Sequence, residues 1–164
     1  MTPCVDVHAH LVPARLLADV AAGRERFPHV EVAPHGSSHV VSFDGGAPTR
    51  PVSPGLVDPA RRRSWLSEHD VGTQVVGGWL DLFGYELPAG EGAAWAETMT
   101  AAIRAEADAA GDLVALGTVP LQDPAAAAEA LVRQRAAGLP GAMIATRAGE
   151  LELDDPAATP FWEA

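Results

Sequence analysis

The sequence contains no lysine and no asparagine, and it has a single cysteine, Cys4. The missing lysine excludes Schiff-base catalysis, a phosphate-binding P-loop and a carboxylated lysine that bridges two metals. One cysteine cannot form an intramolecular disulfide, which indicates a reducing compartment. All 11 basic residues are arginines, set against 22 acidic residues, for a net charge of −11. A chain so acidic, without a basic face, is not expected to bind nucleic acid.

Long apolar segments are also missing. The longest apolar runs fall far below the ~18 residues of a membrane span. The first residues lack the basic stretch and apolar run of a signal peptide. We therefore expect a cytoplasmic protein with no membrane partner. Because 48% of the residues are hydrophobic, the chain is expected to fold around a core rather than stay disordered.

Strand-like and helix-like segments alternate along the chain. Three Asp-Pro pairs, at positions 58, 123 and 155, combine an N-cap with a proline in the first turn and predict helix starts. Such alternation is typical of parallel strands joined by crossover helices. Residues 25–57 break the pattern and predict an inserted β-hairpin followed by an irregular stretch. The predicted strands are 5–11, 73–79, 113–119 and 141–146, and the predicted helices are 14–22, 58–69, 90–110, 123–138 and one that starts at 155.

These segments predict an α/β fold, a partial TIM-type barrel of about four β/α units. A complete barrel of eight units takes about 250 residues, and this chain has 164. We therefore expect a single domain over residues 1–164 that stops before a fifth strand.

Two histidines on the first predicted strand carry the chemical signal. His8 and His10 are two residues apart, so strand periodicity places both rings on one face together with Asp6. Val5, Val7 and Ala9 are then expected on the other face, against helices. Imidazole is a common Zn²⁺ ligand, and the polar face of a first barrel strand points toward the mouth where active sites form. The spacing predicts part of a metal site; a pair of partly exposed histidines without a ligand is the alternative.

The stretch Val-Asp-Val-His-Ala-His-Leu-Val-Pro at 5–13 resembles the first strand of the amidohydrolase-related family. More narrowly, it resembles the branch that contains aminocarboxymuconate-semialdehyde decarboxylase and similar decarboxylases. Later stretches resemble further signatures of the family in the same order. These are residues 58–63, 69–75, 116–124, 137–146 and 160–164.

The resemblance implies a metal-dependent enzyme in which His8 and His10 are the first two ligands of a divalent cation, with Zn²⁺ favoured. It also implies that Arg50 binds a substrate carboxylate, since a guanidinium can hold a carboxylate through two hydrogen bonds. A solvated loop arginine is the alternative for Arg50. The absent lysine favours one metal ion over two. The family takes further ligands and catalytic residues from its fifth, sixth and eighth strands, which this sequence does not include.

The function that the resemblance implies is metal-dependent decarboxylation of a small carboxylated unsaturated or aromatic molecule. One alternative is hydrolysis of a lactone, amide or ester by the same metal site. A second alternative is a non-catalytic half-barrel or split subunit, completed by a second copy of itself or by a complementing C-terminal half. We expect the 164 residues alone to show little activity.

Overall fold

The structure is a computed structural model that describes residues 4–23 and 27–164. Residue 25, where the predicted insertion starts, lies outside the described residues. The strands and helices follow one another in this order: β1 (Cys4–Leu11), α1 (Ala14–Ala21), β2 (Val30–His35), β3 (Ser38–Phe43), α2 (Pro54–Val57), α3 (Pro59–Glu68), β4 (Val71–Gly78), a 3₁₀ turn (Leu80–Leu82), α4 (Ala89–Ala110), β5 (Leu113–Ala115), α5 (Pro124–Ala136), β6 (Arg147–Ala148), β7 (Leu151–Glu152), a second 3₁₀ turn (Pro156–Ala158) and α6 (Thr159–Trp162).

The central sheet is parallel and has the order β1-β4-β5. A fourth parallel position beyond β5 consists of a single bridge between Gly117 and Ala142. The prediction of parallel strands with crossover helices is therefore confirmed, as a partial barrel. The predicted strand 113–119 is shorter than expected, and 141–146 contributes only that bridge.

Side chains explain why β5 ends early. The main-chain N–H of Thr118 donates to Thr100 Oγ1 at 2.8 Å, and the Thr118 carbonyl accepts from Gln134 Nε2 at 2.8 Å. Both main-chain groups of Thr118 are thus satisfied by side chains of α4 and α5 and do not join the ladder.

The predicted Asp-Pro helix starts are confirmed at all three positions. Asp58 accepts from two main-chain amides of α3, Asp123 from Ala126 and Asp155 from Ala157. Asp155 begins a 3₁₀ turn followed by the short helix α6, rather than one continuous helix. The hairpin β2–β3 is present as predicted, whereas α2 and the hairpin β6–β7 were not predicted.

One face of the sheet is packed against helices. Trp95, Met99 and Ile103 of α4 are fully buried against Val76 of β4. The hairpin joins this core through Phe43, whose ring contacts Trp95 at 5.7 Å between centroids.

The opposite face of the sheet is open at β1. Val5 is 53% exposed and Val7 is 73% exposed. The expectation that Val5 and Val7 pack against helices is therefore wrong. In the residues that the structure describes, β1 pairs with β4 and with no other strand, so its second edge carries no strand partner.

No helix within residues 4–23 and 27–164 combines the length and the apolar character needed to cross a membrane.

Candidate functional site

His8 and His10 lie side by side near the carboxyl end of β1. Their ring centroids are 5.0 Å apart and the rings are nearly perpendicular, at 86°. His8 is exposed and His10 is half-buried. Two imidazoles that bind one tetrahedral Zn²⁺ through bonds of about 2.0–2.1 Å have centroids roughly 5 Å apart. The spacing of the two rings therefore fits a single metal ion.

The ring of His10 is held by the end of β4. Its Nδ1 lies 2.9 Å from the carbonyl oxygen of Gly78. Because a carbonyl can only accept, Nδ1 carries the hydrogen, and Nε2 has the free lone pair that a metal needs. A hydrogen bond from the other ring nitrogen is the usual way in which a metal-binding histidine is oriented.

Asp6 does not share a face with the histidines, contrary to the expectation from strand periodicity. The register pairs Asp6 with Gln74 and Ala9 with Val76, so two residues of β1 stand opposite one residue of β4. This bulge turns Asp6 toward the helices, where its Oδ2 accepts from Gln74 Nε2 at 2.7 Å. A bulge commonly redirects side chains in this way beside a site.

Behind the sheet, Arg62 of α3 contacts β4 through one terminal nitrogen and β1 through the other. Its Nη1 donates to Gln74 Oε1 at 2.5 Å, and its Nη2 donates to the carbonyl of His10 at 2.7 Å. Burial lowers the pKa of Arg62, and the nearby carboxylates of Glu106, Asp6 and Asp112 oppose that shift.

Sequence reasoning missed Arg62 and Gln74, although both carry a signal. Arg62 lies four residues before the buried Leu66 and so shares its helix face. Gln74 is a polar residue, 4% exposed, in a mostly apolar strand, and a buried polar residue is the informative case.

Arg50 lies at the carboxyl end of β4, in the segment that follows the inserted hairpin. Its Nε donates to Asp81 Oδ2 at 2.9 Å and its Nη2 donates to Asp81 Oδ1 at 2.7 Å. The guanidinium also lies 5.3 Å from the ring centroid of Trp79. The hydrogen bonds that Arg50 donates to Asp81 raise the pKa of Arg50, and the negative charge of the same carboxylate raises it further. From sequence alone, Asp81 was not distinguishable from ordinary loop polarity.

Residues 78–81 connect the two parts of the site. Gly78 accepts the hydrogen bond from His10, Trp79 lies against Arg50, and Asp81 pairs with Arg50. The predicted metal residues and the predicted carboxylate-binding residue are thus at the same end of the sheet. Within the described part of the chain, no three His, Cys, Asp or Glu side chains are close enough together to hold a metal ion. The described residues therefore offer two imidazole ligands and no third protein ligand.

Several solved structures share this fold. The chain is similar to IDCase of Metarhizium anisopliae, with a TM-score of 0.74 and 18% identity over 99% of this chain and 47% of that one. It is similar to 5-carboxyvanillate decarboxylase LigW of Sphingomonas paucimobilis, with a TM-score of 0.70 and 20% identity over 99% and 48%. It is also similar to a 2,6-dihydroxybenzoate decarboxylase complexed with 2,6-dihydroxybenzoate, with a TM-score of 0.67 and 20% identity over 99% and 46%.

The chain therefore has the fold of about half of an amidohydrolase-type barrel, and proteins described as amidohydrolases are also among the matching structures. The resemblance seen in the sequence is confirmed at the level of the fold. The chain spans about half the length of the structures that it matches. No protein-family model and no curated sequence matches it.

Proposed function

We propose that this chain provides metal ligands and a carboxylate-binding arginine to a decarboxylase that acts on a small carboxylated aromatic or unsaturated molecule. The observation that carries the proposal is the contact of His10 Nδ1 with the Gly78 carbonyl, which leaves Nε2 as the nitrogen with the free lone pair, in a ring whose centroid is 5.0 Å from that of His8. The likeness of the fold to two decarboxylase structures supports the choice of reaction.

A divalent cation, with Zn²⁺ favoured, would be held by Nε2 of His10 and by a ring nitrogen of His8. Such an ion supplies Lewis-acid polarisation of a substrate oxygen when it is bound. Catalytic zinc sites commonly use three protein ligands, and the described residues provide two. We therefore expect slow turnover or none from the 164 residues alone.

Arg50 is the residue that we assign to the substrate carboxylate. Its guanidinium already holds one carboxylate, that of Asp81, in the two-bond geometry that suits this group. The side chain of Arg50 is 72% exposed, so an incoming carboxylate can reach it. The buried indole of Trp79 supports the guanidinium from below, with 5.3 Å between the guanidinium carbon and the ring centroid.

Substrate binding is the primary test, because it does not require a complete catalytic centre. The chain, with and without Zn²⁺, is titrated with 2,6-dihydroxybenzoate and 5-carboxyvanillate, and release of CO₂ is followed in the same samples. We expect binding that strengthens with Zn²⁺ and weakens in Arg50→Met. If the affinity for the carboxylates changed neither with Zn²⁺ nor in Arg50→Met, the assignment would be contradicted.

Hydrolysis of a lactone, amide or ester is the second candidate, since amidohydrolases are among the proteins that share the fold. The two reactions differ in their products. Zn²⁺-dependent ring opening of an aryl lactone, without release of CO₂ from the carboxylated compounds, would favour the hydrolase.

The free edge of β1 supports a partner strand. Within the described residues β1 has a strand partner on one side only, Val5 and Val7 are exposed on its open face, and an edge strand without a partner tends to pair with another chain. We propose a second copy of this chain as the partner, which predicts a particle of twice the 17.0 kDa chain mass in light scattering. Val7→Lys should then give a monomer. A wild-type monomer would exclude the second copy and leave a complementing chain as the alternative.

A further inference from the structure

Three polar side chains connect helix α3 to the strand that carries both histidines. Arg62 donates to the carbonyl of His10 at 2.7 Å and to Gln74 Oε1 at 2.5 Å. Gln74 Nε2 donates to Asp6 Oδ2 at 2.7 Å, and the other oxygen of Asp6 accepts from the main-chain N–H of His8 at 3.2 Å. We call Arg62, Gln74 and Asp6 the strap. It reaches a main-chain group of each histidine.

The strap lies where β1 has lost regular pairing. The register with β4 shifts between Asp6 and Ala9, so the segment that includes His8 is not fixed by an even ladder. β1 also has no described strand on its other side. A strand held on one edge and bulged in its middle needs other contacts to define its backbone, and the strap makes them from the helix side.

The strap is partly buried, with Gln74 as its buried member and with Arg62 and Asp6 half-buried. Gln74 is 4% exposed, and its amide uses its oxygen for Arg62 and its nitrogen for Asp6. Arg62 is half-buried, whereas its neighbours Arg61 and Arg63 are exposed. A buried polar network of this kind fixes one arrangement of the groups that it joins, because any other arrangement leaves buried polar atoms unpaired.

We propose that Arg62 and Gln74 are positioning residues for the metal site, which set the backbone of His10 and His8 and so the separation of the two rings. This inference rests on the proposed metal-binding function. Residues that support metal ligands change metal affinity by roughly 10- to 100-fold when they are mutated. The strap would act in the same way, except that it holds the main chain of the ligands instead of their rings.

Four variants separate positioning from a general effect on folding. Arg62→Met removes both donors of the arginine, and Arg62→Lys keeps the charge with a single donor group. Gln74→Glu keeps an acceptor for Arg62 and loses the donor to Asp6. It therefore removes the support that reaches the His8 main chain through Asp6, and it keeps the hydrogen bond from Arg62 to the His10 carbonyl. Arg61→Met, one residue away and exposed, is the matched control.

The first measurement is Zn²⁺ affinity by calorimetry, with Co²⁺ absorption as a report on ligand geometry. We expect Arg62→Met to weaken Zn²⁺ binding by roughly 10- to 100-fold, Arg62→Lys to recover part of the loss, and Arg61→Met to match the wild type. The Co²⁺ spectrum should change in Arg62→Met and Gln74→Glu. A purely structural role would lower the folded fraction without altering the spectrum of the protein that remains folded.

The second measurement uses the metal-free chain and NMR. Exchange of the His8 amide hydrogen should accelerate in Gln74→Glu and stay at the wild-type rate in Arg61→Met. The inference would be overturned if folded Arg62→Met and Gln74→Glu both kept the wild-type Zn²⁺ affinity, the wild-type Co²⁺ spectrum and the wild-type rate of His8 exchange. If Arg62→Met does not fold, Arg62→Lys and Gln74→Glu decide the question. A wild-type chain that binds no Zn²⁺ would instead overturn the proposed function, and unchanged His8 exchange in Gln74→Glu would then still overturn the strap.

Discussion

Arg50 holds Asp81 with two parallel hydrogen bonds, of 2.9 Å from Nε and 2.7 Å from Nη2, above the indole of Trp79. The arginine side chain is 72% exposed and the Asp81 side chain is 18% exposed. An internal carboxylate therefore occupies the position in which we place the carboxylate of a substrate. Any external carboxylate has to compete with Asp81 for the same guanidinium.

Replacing Asp81 should expose this competition. In Asp81→Asn the guanidinium loses its charged partner, so we expect benzoate to bind several-fold more tightly than to the wild type. Arg50→Lys should bind more weakly, because an ammonium cannot reproduce the two-bond geometry. Both affinities can be measured by NMR titration.

Glu129→Gln is the matched control for that titration. It frees another exposed arginine, Arg133, which lies 3.7 Å from Glu129 on α5. Benzoate affinity should not change in this variant. Equal tightening in Asp81→Asn and Glu129→Gln would mean that benzoate responds to net charge and not to Arg50.

The contact between His29 and Glu91 should make stability depend on pH. His29 Nδ1 lies 2.6 Å from Glu91 Oε2. This contact joins the residue before the hairpin to the first turn of α4. This hydrogen bond raises the pKa of His29 above 6.5, and the charges of Glu91 and Asp44 act in the same direction. Because the folded pKa is raised, the stabilisation is full below about pH 6.5 and is lost as the pH rises through the raised value.

The measurement is the melting temperature of the wild type and of His29→Gln, from about pH 5.5 to about pH 8.5. At the acidic end the melting temperature of the wild type should exceed that of His29→Gln. The difference between the two melting temperatures should shrink as the pH rises. His35→Gln, on the exposed turn of the hairpin, should show no such trend. A difference between wild type and His29→Gln that is constant over this range would refute the ion pair.

Thr100 should contribute to stability through the main chain of Thr118. Its hydroxyl accepts from the Thr118 N–H at 2.8 Å and lies 3.2 Å from the Thr118 carbonyl, and both residues are buried. Thr100→Val leaves a buried N–H unpaired, so we expect a loss of about 1–3 kcal/mol in the free energy of unfolding. Thr98→Val, at a half-buried position of the same helix where the hydroxyl bonds only an exposed carbonyl, should stay within about 0.5 kcal/mol. Urea denaturation of both variants measures this, and equal losses would disprove the role of Thr100.

Much of the fold was readable from the sequence because its signals are local. Asp58 and Pro59 mark the start of α3 within two residues, and the apolar run of β4 identifies a buried strand. The carboxyl end of β5 was not readable, since Thr118 leaves the ladder to bond with Thr100 and Gln134, which lie 18 and 16 residues away. Strand length there is decided by tertiary partners.

Some features of the candidate site were also visible in the sequence, and others depend on tertiary contacts. The spacing of His8 and His10 is visible in the sequence, and so is a cationic side chain at Arg50. The bulge that turns Asp6 away depends on the register with β4, which no local pattern specifies. The acceptor for His10 is a main-chain carbonyl 68 residues away, so no residue type marks it.

The central claim is that His8 and His10 bind one divalent cation together. The most direct measurement is a calorimetric titration of the 164-residue chain with Zn²⁺, beside His8→Ala, His10→Ala and the hairpin control His35→Ala. The account predicts that the wild type binds one ion per chain at the site of His8 and His10. Binding should be lost in each of the first two variants and unchanged in His35→Ala. Wild-type affinity in either His8→Ala or His10→Ala would contradict it.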